Sequence, residues 1–155
     1  MNQQDLMKAV TQLNGSLEEL FAQIQPDQLD WRPHENMRTV MELANHLAQV
    51  PSVDLKIMQG GTEAEVRALE ASLRRSSPAE LIHVWRSGVG AVAEFYAGLT
   101  PEQFESQVGT AFYGHAMPFS EWLLEIITHA YHHRAQLFTY LKMLGRPVDM
   151  FTLYL

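Results

Sequence analysis

Hydrophobic residues recur along this chain at steps of three and four, the spacing that places them on one face of an α-helix. The first such segment runs from about Gln3 to Ile24 and predicts one helix. A second segment, from about Thr39 to Met58, predicts another, with a kink at Pro51 because proline removes a backbone hydrogen bond and clashes with the preceding turn. A short, charged segment from Thr62 to about Leu73 predicts a peripheral helix.

The second half of the chain predicts two more long helices. The sequence Ser77-Pro78-Ala79-Glu80 has the residues of a capping box at the start of one of them, whose apolar stripe continues to Leu99. Gly88 and Gly90 lower the helix propensity of this segment, and we expect both to let a neighbouring helix approach closely. The sequence Thr100-Pro101-Glu102-Gln103 is a second capping box and predicts a short helical turn.

The most clearly helical stretch extends from Ser120 to Leu144, after a predicted loop at Val108–Pro118 that has some extended character. Gly145 just past its end and Pro147 beyond it are typical stop signals. Four long amphipathic segments without a convincing strand predict an all-α four-helix bundle with short peripheral helices. The length favours a single domain over residues 1–155, and up-down-up-down is one of several orders that the connections allow.

Composition narrows the class of protein further. The net charge is −7, and no cluster of Lys and Arg exceeds Arg74-Arg75, so we expect no nucleic-acid partner. The absence of cysteine removes disulfides, thiolate ligands and cysteine nucleophiles together. The first five residues lack a signal-peptide pattern, and no apolar run approaches the ~20 residues that span a bilayer. We therefore expect a soluble cytoplasmic protein without a membrane partner.

Three histidines on inward-facing helical positions are the strongest candidate chemistry. His129 and His133 are four residues apart, so they lie one turn apart on one helix face, and His46 falls on the stripe of the second helix. Three imidazoles with an open fourth position are the arrangement of catalytic zinc sites. Two alternatives stay open: the histidines are ordinary core residues, or His132 replaces His133 in an i, i+3 pair with His129.

Other titratable residues near these positions are weaker candidates for a role in the site. Glu125 lies one turn before His129 and is either a general base or a solvated carboxylate, and Asp54 and Glu42 flank His46 in the same way. Further candidates are His115, in a loop that could cover the metal, and three residues that could contact substrate: Arg134, His132 and His34. Gln136 is a comparable candidate, and the ordinary alternative for Arg134 and Gln136 is bonding to neighbouring helices.

Several known chemistries are poorly supported. The chain has no glycine-rich phosphate loop, no H-E-x-x-H and no G-x-S-x-G. A di-iron bundle needs Glu three residues before His, whereas Glu42 and Glu125 each precede a histidine by four. A mononuclear three-histidine site fits the spacing better.

Four sequence motifs resemble the DinB-like superfamily, which includes YfiT-like proteins. They are Trp31-Arg32-Pro33, the segment Val40–Leu47 around His46, the segment Thr128–Leu137 with its H-x-x-x-H-R-x-Q-L pattern, and Leu144-Gly145-Arg146-Pro147. The resemblance covers most of the chain, from Leu13 onward. Its name is shared with a DNA polymerase of unrelated fold, so it gives no reason to expect DNA binding.

The resemblance implies a four-helix bundle in which His46, His129 and His133 hold one divalent transition metal, zinc or nickel. It also implies a metal-dependent enzyme, a thiol S-transferase of the bacillithiol- or mycothiol-dependent kind or a hydrolase, and a homodimer. A low-molecular-weight thiol is a further expected cofactor, and a small molecule the expected substrate. Ala135 is a departure, because related proteins often have glycine there. The alternative is a non-enzymatic stress-response protein with a structural metal.

Overall fold

The computed structural model describes residues 2–154, and these form a helical bundle with one small hairpin. Its elements in chain order are α1 (Gln3–Thr11), α2 (Leu13–Ala22), a 3-10 turn (Pro26–Gln28), α3 (Val40–Met58), α4 (Glu63–Leu73), α5 (Pro78–Ala97), α6 (Pro101–Ser106), β1 (Val108–Thr110), β2 (Ala116–Pro118), α7 (Phe119–Met143) and α8 (Met150–Leu153). The α1–α2 pair, α3, α5 and α7 make up the four-helix bundle, as predicted.

The N-terminal part of the bundle is formed by two short helices, α1 and α2, and not by the single helix that the sequence predicts. It is interrupted at Gln12, which keeps right-handed helical angles, and it ends at Ala22. The apolar stripe nevertheless crosses the interruption without losing its face, because Leu6, Val10, Leu13 and the later leucines are all buried. The two short helices therefore cover the core as one longer helix would.

Close packing between α3 and α5 explains one of the two glycines in the third long helix. A Cβ atom on Gly88 would lie 2.7 Å from Ser52 Oγ and 3.1 Å from Pro51 Cβ, so α5 approaches α3 where a side chain would clash. Gly90 has no atom within 4 Å of the equivalent position because it lies on the exposed side of α5. The expectation of close approach is confirmed for Gly88 and wrong for Gly90.

Side-chain hydrogen bonds begin several of the helices, and the capping box predicted at Thr100 is confirmed. Capping boxes start α3 at Thr39, α4 at Thr62 and α6 at Thr100. The capping box predicted at Ser77 is wrong: the residue is the N-cap of α5, but its side chain makes no capping bond. The Glu80 N–H instead donates to the Ser77 carbonyl oxygen at 3.2 Å, so a backbone bond closes this turn.

A hairpin replaces the loop predicted between α6 and α7. Its strands β1 and β2 are antiparallel, with Gly109 opposite Met117, and the turn contains Gly114 at a φ of +88°. A Cβ atom on Gly109 would lie 2.6 Å from the Met58 carbonyl oxygen, and the Trp122 indole N–H donates to the Gly109 carbonyl at 3.1 Å. These contacts fasten the hairpin to the end of α3 and the start of α7.

The chain after α7 folds back onto the bundle through one short helix. Gly145 ends α7 with a φ of +72°, as its position predicts, and Asp149 caps α8 through Phe151 and Thr152. Phe151 and Tyr154 remain 72% and 77% exposed, while Leu155 lies outside the described residues. The homodimer that the family resemblance implies stays a prediction. None of the helices in the described chain is both long and apolar enough to cross a membrane.

Candidate metal centre

Three histidine side chains from two helices converge at one point inside the bundle. His46 comes from α3, and His129 and His133 come from successive turns of α7. The Nε2 atom of His46 lies 3.2 Å from that of His129 and 2.9 Å from that of His133. Two nitrogens that bind one tetrahedral zinc ion at 2.0–2.1 Å are about 3.3 Å apart, so this spacing suits a shared ion. That these histidines bind a metal stays a prediction.

The far side of two of these rings is held by an acceptor. His129 Nδ1 lies 2.7 Å from Asp54 Oδ2, and His133 Nδ1 lies 2.8 Å from Gln136 Oε1. Because a carboxylate or amide oxygen accepts, each Nδ1 carries the hydrogen, and the unprotonated Nε2 faces the centre. The Nε2 atoms of His129 and His133 are thereby left as acceptors directed at the centre, and a histidine whose second nitrogen is so held is typical of metal ligands.

Electrostatics keeps two of the three rings in the form that binds metal. Burial lowers the pKa of His46 to about 3, helped by the positive charge of Arg38. Burial also lowers the pKa of His133 to about 4, against the opposing hydrogen bond to Gln136. The hydrogen bond to Asp54 raises the pKa of His129, and burial opposes it. A proton therefore competes for the site chiefly at His129.

Within residues 2–154, the group of possible metal ligands has three members and no fourth. Among residues 2–154, His46, His129 and His133 are the one group of at least three His, Asp or Glu side chains close enough together to hold an ion. Glu125 is exposed, although its charge is felt at His129. His115, the histidine expected to cover the metal, is exposed. Its ring packs edge-on against that of Trp122, with 6.0 Å between the ring centroids. Trp122 itself lies about 10 Å from His129 along the axis of α7.

The structure also places the three candidate substrate-binding residues. His132 is exposed beside the site, with its ring 4.8 Å from that of His133. His133, and not His132, brings its Nε2 atom next to that of His46. His34 is exposed and pairs with Asn36 in the loop before α3.

Arg134 does not face the site. It is buried and donates to the Leu153 carbonyl oxygen at 2.8 Å, while its guanidinium lies over the ring of Tyr131 at 4.5 Å. Its Nη1 group attaches α8 to the bundle, which corrects the expectation that this residue contacts substrate.

An open cleft of about 760 Å³ lies beside the site and includes His46 in its lining. Its walls are the loop of residues 32–38, the first half of α3 and one face of α4. The roles of Asp54 and Gln136 and the cleft itself were missed by the sequence prediction. A signal existed for the first two, because Asp54 follows His46 by eight residues and Gln136 follows His133 by three, both spacings of one helix face.

The fold and the site together define a class: a four-helix-bundle protein with a candidate mononuclear metal centre made of three histidines. Residues 9–137 match the sequence profile of the DinB superfamily. The chain belongs to the DinB superfamily. A comparison with curated proteins found no match.

Solved structures of the same fold agree with this assignment. A protein of Exiguobacterium sibiricum 255-15 assigned to the DinB family is 30% identical with a TM-score of 0.81, over 97% of this chain and 96% of that one. The DinB-like protein YjoA of Bacillus subtilis is 20% identical with a TM-score of 0.72, over 95% and 96% of the two chains. YfiT of Bacillus subtilis, described as a probable metal-dependent hydrolase with an unusual four-helix bundle topology, is 14% identical with a TM-score of 0.73, over 94% and 91%.

Proposed function

We propose that this protein is a metal-dependent enzyme, a hydrolase or a thiol S-transferase, in which His46, His129 and His133 hold one divalent transition ion such as zinc or nickel. The observation that carries the proposal is the convergence of three Nε2 atoms beside an open cleft, with no fourth donor in the group formed by residues 2–154. A three-ligand site keeps a position open for a reactant, whereas structural sites are closed by four ligands. The description of YfiT, which shares the fold, supports the same class.

A bound divalent ion would supply Lewis acidity, lowering the pKa of a water molecule or thiol at its open position, to about 7 for water in favourable zinc sites. The chain's own residues prepare that position. Asp54 and Gln136 hold the rings of His129 and His133 with Nε2 directed inward. Arg38 helps to keep the imidazole of His46 neutral by lowering its pKa. Glu125, on the exposed side of α7 and close enough for its charge to act on His129, is a candidate to take a proton from the reactant.

The two reaction types differ in the nucleophile. In the hydrolase the nucleophile is water, and in the transferase it is a low-molecular-weight thiol of the bacillithiol or mycothiol type, which attacks an electrophilic substrate. The cleft beside His46 is wide enough for either co-substrate, because pockets for small molecules occupy about 300–1,000 Å³. Assays of both reactions on the same metal-loaded protein separate them.

Elemental analysis of the purified, untagged protein tests the metal site first. We expect about one equivalent of a divalent metal in the wild type and its loss in the His129→Ala/His133→Ala variant. The matched control is His83→Ala, because His83 is exposed on α5 and lies outside the site. If the folded wild type binds no metal even after reconstitution, the histidines are core residues and the proposal fails.

Activity of the metal-loaded protein tests whether it is a hydrolase or a thiol S-transferase. A panel of activated esters and a panel of electrophiles offered with a thiol should reveal turnover that His129→Ala abolishes and His83→Ala preserves. The competing function is a non-enzymatic stress-response protein with a structural metal. Full metal content with no turnover in either panel, and loss of folding on metal removal, would favour that function instead.

A further inference from the structure

Several arginine side chains lie together in the cleft beside His46, although the protein is acidic. The chain carries a net charge of −7, yet four of its eleven Lys and Arg residues line this one cleft: Arg32, Arg38, Arg67 and Arg74. Three glutamates, Glu35, Glu42 and Glu70, line it as well. The pairing of these charges therefore decides what the cleft attracts.

Most of the charged side chains in the cleft are already balanced. Arg67 donates to Glu63 at 2.6 Å and also feels the charge of Glu70, so it is neutralised within α4. The carboxylate of Glu42 accepts the backbone N–H of Thr39 at 2.8 Å, as part of the cap of α3. Arg32 and Arg74 both act on this carboxylate and lower its pKa, after the larger effect of the Thr39 hydrogen bond.

Arg38 and Arg74 are the exceptions, because neither side chain takes part in an ion pair or a hydrogen bond with residues 2–154, whose ion pairs involve five other cations. Of the two, Arg38 is the one whose charge acts on all three histidines of the candidate metal site. Its main chain is held, because the Tyr140 hydroxyl donates to the Arg38 carbonyl oxygen at 3.2 Å. Because Arg67 pairs with Glu63, the remaining charges of the lining are Arg32, Arg38 and Arg74 against three glutamates, and they are equal in number. The five N–H donors of Arg38 are thus available to a ligand.

The opposite wall of the cleft is fixed in place by polar side chains of α3. The Asn45 side chain accepts from the Arg75 backbone N–H at 2.8 Å and donates to the Arg75 carbonyl at 2.9 Å. The Gln49 side chain donates to the Glu70 carbonyl at 3.2 Å. These bonds hold α4, which buries only Val66, against the bundle. The wall formed by α4 is therefore fixed relative to α3.

We infer that the cleft binds a small-molecule oxyanion, a carboxylate or phosphate, whose negative group is held by Arg38 while its reacting end lies at His46. The planar guanidinium matches both anions with two parallel hydrogen bonds. Arg38 and His46 line the same cleft, so a ligand of modest size contacts both. The placement of the reacting end rests on the proposed function, whereas the anion contact with Arg38 does not.

Binding to the metal-free protein tests the inference separately from the metal site. Succinate, inorganic phosphate and the neutral isostere succinamide are titrated into the chelator-treated, dialysed protein, with backbone amide NMR shifts as the readout. We expect succinate or phosphate to shift amides of residues 32–38 and 67–74, and succinamide to have no effect. The stronger of the two anions identifies the group that the cleft prefers.

Two variants establish which arginine is responsible. Arg38→Gln should weaken binding of the anion by roughly tenfold or more, because a charge-assisted hydrogen bond is lost. Arg86→Gln should change it by less than about twofold, since Arg86 pairs with Glu18 on the surface outside the cleft. Metal content and thermal unfolding, measured on both variants, show that fold and metal site are intact.

Three results would overturn the inference. They are no binding of either anion, equal binding by the wild type and Arg38→Gln, and shifts confined to residues outside the cleft. None of them bears on the metal site, which is judged by metal content alone. Conversely, the protein could bind the anion through Arg38 and yet take up no metal. That result would support the inferred anion site in the cleft and contradict the proposed metal-dependent enzyme.

Discussion

The carboxylate of Asp54 lies 2.7 Å from Nδ1 of His129, and this contact joins the inner faces of α3 and α7. The Asp54 side chain is 9% exposed, so its charge is almost fully removed from water. A buried carboxylate is costly unless it is paired, and here the imidazole N–H is its partner. The same bond fixes which nitrogen of His129 faces the candidate metal site.

Replacing this carboxylate should therefore weaken metal binding without removing a ligand. For Asp54→Asn we expect metal affinity to fall by about 10–100-fold, the usual effect of losing a partner behind a metal-binding histidine. The pKa of His129 in the metal-free protein should also fall, because the hydrogen bond to Asp54 is the largest cause of its elevation. A competition titration against a chromophoric chelator and an NMR pH titration measure the two effects.

The matched control for this variant is Asp30→Asn, which removes an exposed carboxylate in the loop before α3. It should leave metal affinity and the pKa of His129 unchanged. Unchanged values in Asp54→Asn as well would mean that the carboxylate neither orients the ring nor contributes to the site.

Gln136 accepts a hydrogen bond from Nδ1 of His133 at 2.8 Å, as Asp54 does from Nδ1 of His129, but its acceptor is a neutral amide oxygen. We expect Gln136→Ala to lower metal affinity by about tenfold, at the weaker end of such effects, because an amide oxygen polarises the ring less than a carboxylate does. The chelator competition assay ranks the two variants, with Gln4→Ala on the exposed side of α1 as control. A larger loss from Gln136→Ala than from Asp54→Asn would contradict this ranking.

The metal-free protein should lose stability as the pH falls. In the folded state the pKa of His46 is about 3 and that of His133 about 4, both below the ordinary value of 6.5, so the unfolded chain binds more protons. Their contribution to the free energy of unfolding is complete above about pH 6.5 and declines as the pH falls towards 4. His129 has the opposite sign, because its raised pKa gives stability that is lost as the pH rises through that value.

Urea unfolding at several pH values checks this dependence. The variant His46→Gln/His133→Gln should show a shallower decline than the wild type, since it lacks the two groups that must take up protons on unfolding. His83→Gln, which removes an exposed histidine of α5, should keep the wild-type slope. Equal slopes in all three proteins would rule out buried neutral histidines as the cause.

The two glycines of α5 should respond in opposite ways to alanine. Gly88→Ala places a methyl group 3.1 Å from both Pro51 Cβ and the Ser52 backbone nitrogen, and we expect a loss of about 1–2 kcal/mol from overpacking. Gly90→Ala meets open space, and we expect a gain of about 0.5–1 kcal/mol from helix propensity. Chemical denaturation of the two variants gives both values, and a stabilising Gly88→Ala would show that α3 and α5 can separate at no cost.

Much of the helical framework could be predicted because its signals are local. The spacing of apolar residues places α3, α5 and α7 to within a few residues, and the capping box predicted at Thr100 is confirmed. The capping boxes at Thr39 and Thr62 have the same local pattern but were not predicted. The same reading failed at Ser77, where the sequence pattern is present but the capping bond is not. A cap depends on one side-chain rotamer, which the residue types alone do not decide.

For the candidate site, the chain itself determines that His129 and His133 are neighbours, because one helical turn separates them whatever the rest of the protein does. Only the tertiary structure decides that His46 meets this pair, that Asp54 lies behind His129, and that Arg134 turns away to Leu153. These contacts depend on how far each helix is rotated and shifted against its neighbour. That rotation and shift are set by the packing of the whole core, to which residues far apart in the sequence contribute.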